Sequence, residues 1–230
     1  MLDGRLRSAA KFVRQGAVFA DVGTDHAHLP IFLLQSGIAT RACLSDINEG
    51  PLASARENAR EAGLLEKIEF CLTDGASALA GRGITDVAVC GMGGELISRI
   101  IEDAAWLKCE GIRLILQPMT RHAHLRRTLA RLGFFTVAED YSSADGKLYV
   151  CICAEYNGHP REISDTEAEI GAIYSENDNN NLQINYLEAK KRALLRAAEG
   201  KRLGGQSPSA EETLIAAIDE RIGAISGASV

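Results

Sequence analysis

The sequence predicts an α/β fold, a mostly parallel sheet layered between helices and followed by a helical extension. Three observations carry this reading. Short apolar runs alternate with stretches of helical spacing from Val18 to about Tyr156. The first of these runs, Val18 to Asp21, turns through Gly23 straight into a helix, and a strand, tight turn and helix in succession form a cradle for a small ligand. From about Gly158 strand signals stop and helical spacing takes over, which divides the 230 residues into 1–158 and 159–230.

Taken in order, Leu2 to Gln15 reads as a helix with Leu6, Ala9, Ala10 and Val13 facing inward and Gly16 closing it. After the strand ending at Asp21, a helix runs from Ala27 through Gln35 to Gly37, and a second strand from Arg41 to Ile47. Asn48 and Gly50-Pro51 read as a turn before a helix from Leu52 to Ala62. The third strand is Ile68 to Gly75. The fourth starts at Asp86 and ends in the cluster Gly91-Met92-Gly93-Gly94 before a helix, and the fifth, Arg113 to Pro118, is stopped by its proline. A basic helix from Thr120 to Leu132 carries His122 and His124 in its first turn. Phe134 to Tyr141 and Lys147 to Tyr156 close the sheet as an antiparallel hairpin turned at Ala144-Asp145-Gly146, which makes seven strands. Beyond them the polar run Asn177 to Asn181 breaks the chain before a helix bearing Lys190. In the last helix Ile215, Ile218, Ile222 and Ile225 recur at three-four-three spacing, and the two pair as an antiparallel hairpin joined through Gly204 to Ser209.

Asp21, Asp46 and Asp74 each stand at the carboxyl end of a strand, the edge where open parallel sheets bind ligands. Any one of them also suits a helix cap, but their repetition at one edge points to a ligand. Asp46 follows Gly23 at the spacing of the acid that accepts hydrogen bonds from a ribose in nucleotide-type folds. A dinucleotide loop needs G-x-G-x-x-G, so that pyrophosphate meets bare backbone at a positive helix end. Here only the first glycine is present, and Asp25 would repel phosphate. An ammonium or sulfonium centre suits such a rim, and S-adenosylmethionine carries both without a phosphate. The glycines from Gly91 to Gly94 leave backbone room for something flat or bulky beside these loops.

The net charge of -6 argues against nonspecific nucleic-acid binding, yet the bases cluster. Arg7, Lys11 and Arg14, then Arg121, Arg126, Arg127 and Arg131, then Lys190, Lys191, Arg192, Arg196, Lys201 and Arg202 make a polyanion partner plausible. No apolar run approaches the ~20 residues that span a bilayer, and the charged N-terminal segment lacks the apolar core of a secretory signal. Six cysteines sit in apolar runs without C-x-x-C spacing, as in a reduced, cytoplasmic protein. The pairs His26/His28 and His122/His124 lack completing ligands, so no metal is expected.

An acid-x-Gly after the first strand, an acid after the second, Asp-Gly after the third and a glycine-rich loop after the fourth resemble the Rossmann-like S-adenosylmethionine-dependent methyltransferases, over about Phe19 to Tyr156. More narrowly, DVGTDHAHLP, TDG, GMGGELI and LILQP, followed by a helix carrying His and Arg, resemble the bacterial TrmK family. That family methylates N1 of adenine 22 in tRNA and carries a helical, coiled-coil-like C-terminal extension. His28 stands where its motif has an aromatic residue.

The resemblance implies S-adenosylmethionine as cofactor and tRNA as partner, with neither membrane nor metal, in a monomer or weak homodimer. It assigns Gly23, Thr24, Asp25 and His26 to the methionine moiety, Asp46, Ile47 and Asn48 to the ribose, and Asp74 with Gly75 to the adenine, with Asp21, Cys90 and Gly91 completing the cofactor set. Gly91, Met92, Gly93 and Gly94 border the target base, and Arg5, Gln117, Arg121, Arg126, Arg127, Lys190 and Lys191 are the RNA-side candidates. Adenine N1 is unprotonated at neutral pH, so positioning carries the reaction and neither a base nor a Cys90 nucleophile is needed. Asp25 is the candidate for stabilising the charged product. The alternatives are a methyltransferase of the same fold acting on a protein or small molecule, and a catalytically silent RNA-binding module.

Overall fold

In the computed structural model, which describes residues 2–24, 26–171 and 180–227, seven strands form one mixed sheet. They are β1 (Ala17–Val22), β2 (Ala39–Asp46), β3 (Ile68–Leu72), β4 (Asp86–Gly93), β5 (Arg113–Thr120), β6 (Phe134–Ala144) and β7 (Lys147–Tyr156), in the order β3-β2-β1-β4-β5-β7-β6. β1 to β5 pair in parallel, and β7 lies antiparallel to both β5 and β6. The central strands are apolar on both faces because helices cover both. On one side α1 (Gly4–Phe12), α2 (His28–Gln35) and α3 (Glu49–Glu61) bring Ala9, Leu33 and Ala55 against Phe19 and Leu44. On the other, α4 (Gly94–Asp103) and α5 (His122–Leu132) bring Ile97, Ile101 and Leu125 against Val87 and Leu114. The strand order reverses between β1 and β4, so their following loops part to opposite faces and leave a crevice at the carboxyl edge.

Several boundaries differ from the sequence expectation. α1 ends at Phe12, not Gln15, because Val13 is extended and Arg14 turns inward, its amide and guanidinium both donating to the buried carboxylate of Asp86. Gly50 and Pro51 are not a turn: α3 begins at Glu49, and a proline in the first turn lacks only an N–H that has no helical partner anyway. β3 stops at Leu72, so Thr73 to Gly75 form its exit loop. β4 continues through Gly91 and Met92 to Gly93, and β5 continues past Pro118 to Thr120; bulges between Cys90 and Gly93 absorb the glycines and the proline. The hairpin ladder reaches Ala144, where Asp145 and Gly146 take φ of 48° and 72°, the backbone of a type I′ turn.

The tail comprises α6 (Asp165–Ile170), α7 (Asn180–Leu203) and α8 (Ser209–Gly227). Most of the polar run expected to break the chain lies outside the described residues, and α7 starts at Asn180. α7 and α8 pair as an antiparallel hairpin, with Ile218 and Ile225 buried against Ile170 and Leu187 and with Ile222 alongside. Leu182 and Tyr186 of α7 pack on the core of the main sheet, so the tail rests on the β6 side of the molecule.

Candidate active site

The turn after β1 is built by its neighbours. The amides of Gly23 and Thr24 both donate to the Ser45 carbonyl of β2, at 2.8 and 3.1 Å. Thr24 Oγ1 donates to Asp21 Oδ2 at 2.7 Å, which orients a carboxylate that is itself buried. Gly23 has φ +75°, and a Cβ there would stand 1.8 Å from Met92 Cε. His26 and Ala27 are also left-handed, with φ of 58° and 56°, a conformation that costs non-glycine residues energy. Asn58 Nδ2 of α3 offsets it by donating to the His26 carbonyl at 2.8 Å. The exposed His26 ring stacks on His28 at 5.6 Å. Asp25 lies outside the described residues.

At the tip of β2, Asp46 Oδ1 accepts from the Asn48 amide at 2.7 Å while the Asp46 carbonyl accepts from Thr73. Ile47 beside it is 62% exposed, a large apolar side chain left at the crevice mouth. Two hollows open here. One, of about 180 Å³, is lined by Ser45, Asp46, Ile47, Asp74 and Gly75. The other, of about 370 Å³, is lined by Asp3, Arg5, Asp21, His28, Cys90 and Gln117. Gly23 and Met92 border both, so the hollows are halves of one cleft. The three strand-tip acids therefore share this cleft, as the sequence expectation required.

The larger half is closed from a distance in sequence. Asp3 caps α1 by accepting from the Leu6 amide at 2.9 Å, and holds Arg5 at 2.7 Å. The Arg5 guanidinium lies 5.5 Å from the centre of the Tyr149 ring. Opposite, the buried Gln117 accepts from the Gly91 amide at 3.1 Å and donates to the Pro118 carbonyl at 3.1 Å. Burial and the neighbouring Asp21 charge push the Cys90 thiol far up, which leaves it protonated and no nucleophile. Asp3 and Arg99 are lining residues that sequence reasoning missed, and His28, singled out for its departure from the family motif, also lines the larger half. Only the cap at Asp3 had a local signal, and it marks a helix start, not a site.

The basic candidates divide. Arg121 is exposed beside Glu95 at 3.3 Å, and Arg127 pairs with Asp165 on the outer flank of α5. Lys190 pairs with Glu169 and Lys191 with Asp219, both within the tail and its packing. Arg126 corrects the expectation. It is 4% exposed, donates to Glu139 at 2.7 and 2.9 Å and to the Ala168 carbonyl at 2.9 Å, and is closed in by β6 and α6. Burial alone would lower its pKa, but the Glu139 charge more than offsets this and holds it above its ordinary value. It is a structural residue with no surface to offer RNA. Among the described residues, no group of three or more His, Cys, Asp or Glu side chains could hold a metal ion, and no helix is long and apolar enough to cross a membrane.

Residues 2–152 match the family described as Methyltransferase domain. A candidate tRNA (m1A22) methyltransferase of Streptococcus pneumoniae superposes with a TM-score of 0.84 at 33% identity, covering 96% of this chain and 100% of that one. The chain belongs to the TrmK methyltransferase family. A TrmK of M. capricolum, solved with S-adenosyl-homocysteine, superposes with a TM-score of 0.78 at 26% identity over 98% of this chain and 99% of that one. The tRNA (adenine(22)-N(1))-methyltransferase of Bacillus subtilis (strain 168) is 33% identical over 154 residues. That alignment spans 67% of this chain and 65% of the Bacillus protein, just under two thirds of its length. The TrmK likeness extends over the tail as well as the sheet, since the structural matches cover nearly the whole chain.

Proposed function

We propose that this chain transfers a methyl group from S-adenosylmethionine to N1 of adenine 22 in tRNA. The observation that carries the reading is the divided cleft, with acids at its strand tips and Gly23 at its middle, in a chain two of whose relatives bear that activity in their names. The S. pneumoniae relative has also been solved in complex with S-adenosyl-L-methionine, a chain 33% identical to this one.

The donor set fits this cofactor. A carboxylate at Asp46 suits ribose hydroxyls, the exposed Ile47 offers an apolar face to a purine, and Asp74 with Gly75 sits beside it at the same hollow. Asp21 sets negative charge in the other half, which favours a sulfonium and opposes phosphate. When bound, S-adenosylmethionine supplies an electrophilic methyl carbon on its sulfur. The chain's own contribution is geometric. Gly23 lets the ligand approach the backbone between the halves, and Gln117 fixes the Gly91 amide on the wall of the substrate half. Within that half Asp3 is held by Arg5, and Asp21, oriented by Thr24, is a carboxylate that can offset positive charge on a methylated base. Asp25 keeps its proposed part in the same role, and His26 a place at the rim.

Because N1 lies on the pairing edge, the nucleotide must leave its stack to enter the cleft. Arg5, restrained by Asp3 and Tyr149, is placed to meet it. Arg121 and Arg127 on the exposed flank of α5 are the bases best placed for the RNA backbone, with Lys190 and Lys191 reaching it only by exchanging their present partners. The tail, 159–230, acts in this reading as a second domain, and a tRNA substrate implies a cytoplasmic protein.

Incubation of purified protein with labelled S-adenosylmethionine and unmodified tRNA transcripts, followed by nucleoside mapping, tests the proposal. Label in 1-methyladenosine is the expected result. Label only on protein or on a small molecule would overturn the RNA assignment.

A further inference from the structure

The paired tip of β4 and β5 reaches beyond the support of the sheet. β1 accompanies β4 only as far as Val22 opposite Val89, and β7 accompanies β5 only as far as Leu116. Past those residues Cys90 to Gly93 and Gln117 to Thr120 pair only with each other, through a bulged register. A two-stranded ribbon has little stability by itself. Yet this ribbon carries Met92, which borders both halves of the cleft, and Gly91, on the wall of the larger half.

Its outer support comes from the elbow into α5 and from the tail. Gly94 lies so close to the elbow that a Cβ there would stand 2.8 Å from the Thr120 carbonyl oxygen and 2.5 Å from that of Arg121. Arg121 itself is left-handed, at φ 58°. The next residue, His122, is half-buried and opens α5 directly after this elbow, two residues past the end of the ribbon. The Tyr186 ring of α7 meets the His122 ring edge-on, at 6.2 Å and 76° between planes, and leans on Tyr141 of β6 at 5.2 Å. The helical tail thus touches the His122 ring, and His122 continues through the close-packed elbow at Arg121 and Thr120 into the ribbon that walls the cleft.

We infer that the tail braces the active site: Tyr186, acting through His122, is a positioning residue that holds the β4–β5 ribbon in the geometry the target base meets. The consequence for methyl transfer rests on the proposed function, whereas the bracing itself is a property of the fold.

The test uses the full chain with Tyr186→Ala and Tyr186→Phe. It compares kcat and KM for tRNA, the calorimetric Kd for S-adenosylmethionine, and amide hydrogen exchange across the ribbon and across β1 and β2. Tyr186→Ala is expected to lower kcat by about tenfold to a hundredfold, the scale at which small misplacements act, with KM for tRNA little changed. It should also speed exchange at 90–93 and 117–121 but not in β1 or β2. Tyr186→Phe keeps the ring and its edge-on contact with His122 and loses only the hydroxyl, so its kcat and ribbon exchange should match the parent. Unchanged ribbon exchange in Tyr186→Ala, or a rise in KM for tRNA at constant kcat, would overturn the inference. Should Tyr186→Ala exchange faster everywhere, Tyr186→Leu decides in its place, since it keeps most of the bulk without the edge-on ring. Faster exchange confined to the ribbon in that variant supports the brace, and parent-like exchange there refutes it. If no tRNA is methylated by the parent protein, the proposed function fails while the exchange comparison still decides the bracing.

Discussion

At the residue scale, two side-chain environments have measurable consequences. Gly23 sits where a Cβ would meet the end of Met92 at a backbone φ of +75°, so Gly23→Ala both strains the turn and drives Met92 into the cleft. The strain should cost about 1 kcal/mol in chemical denaturation, and calorimetry should show S-adenosylmethionine affinity falling more than that stability loss explains. His122 is held down to about 4 by burial first, then by the charges of Arg126 and Lys190, against the opposing pull of Glu139 and of the Pro118 backbone. A folded-state pKa below the ordinary 6.5 means the unfolded chain takes up the proton more readily. The stability this neutral ring contributes is therefore fully present above about pH 6.5 and is lost as pH falls from there toward 4. Denaturation at pH 5 should show a loss of about 2 kcal/mol from this group, absent in His122→Asn. An equal loss in that variant would assign it to other groups.

At the element scale, strand identity was legible and strand length less so. The runs ending in Asp21, Asp46 and Asp74 are short, apolar and bounded, and each forms a strand or its exit at the expected edge. The β4–β5 ribbon was not legible, because glycine and proline break strands locally and only the facing strand shows that bulges accommodate them. The burial of Arg126 was equally hidden. On α5 alone it belongs to a basic stretch, and its enclosure comes from β6 and α6, one of them more than forty residues away. The pair it makes with Glu139 predicts that Arg126→Ala destabilises the fold by about 3–5 kcal/mol, since it leaves a buried carboxylate uncompensated. In thermal melts this variant should fall well below Arg127→Ala, whose exposed pair with Asp165 is worth less than about 1 kcal/mol.

At the scale of the whole molecule, an acidic chain is proposed to hold a polyanion, and the placement of its bases decides how. Most of the tail's lysines and arginines neutralise neighbouring acids, and Arg121 and Arg127 pair as well, but these two are more exposed than the tail's paired lysines, so the flank of α5 carries the electrostatic prediction. Arg121→Glu with Arg127→Glu should weaken tRNA binding and flatten its dependence on salt, as titrations at several ionic strengths would show. Unaltered salt dependence would place the RNA elsewhere. The cleft itself was partly legible, through strand-end acids and glycines. Of its larger half, Arg5, Gly91, Met92 and Gln117 were already candidates through the family resemblance, whereas Asp3 was not, because it reaches the cleft only once α1 packs beneath β6 and β7. The most direct test of the whole account is methyl transfer to two tRNA transcripts, with adenine or guanine at position 22, by the parent protein and by Asp46→Ala. The account predicts 1-methyladenosine in the adenine transcript alone, and S-adenosylmethionine affinity reduced about tenfold or more by Asp46→Ala, the scale of hydrogen bonds to a charged group. Label on the guanine transcript, or undiminished affinity without the Asp46 carboxylate, would contradict it.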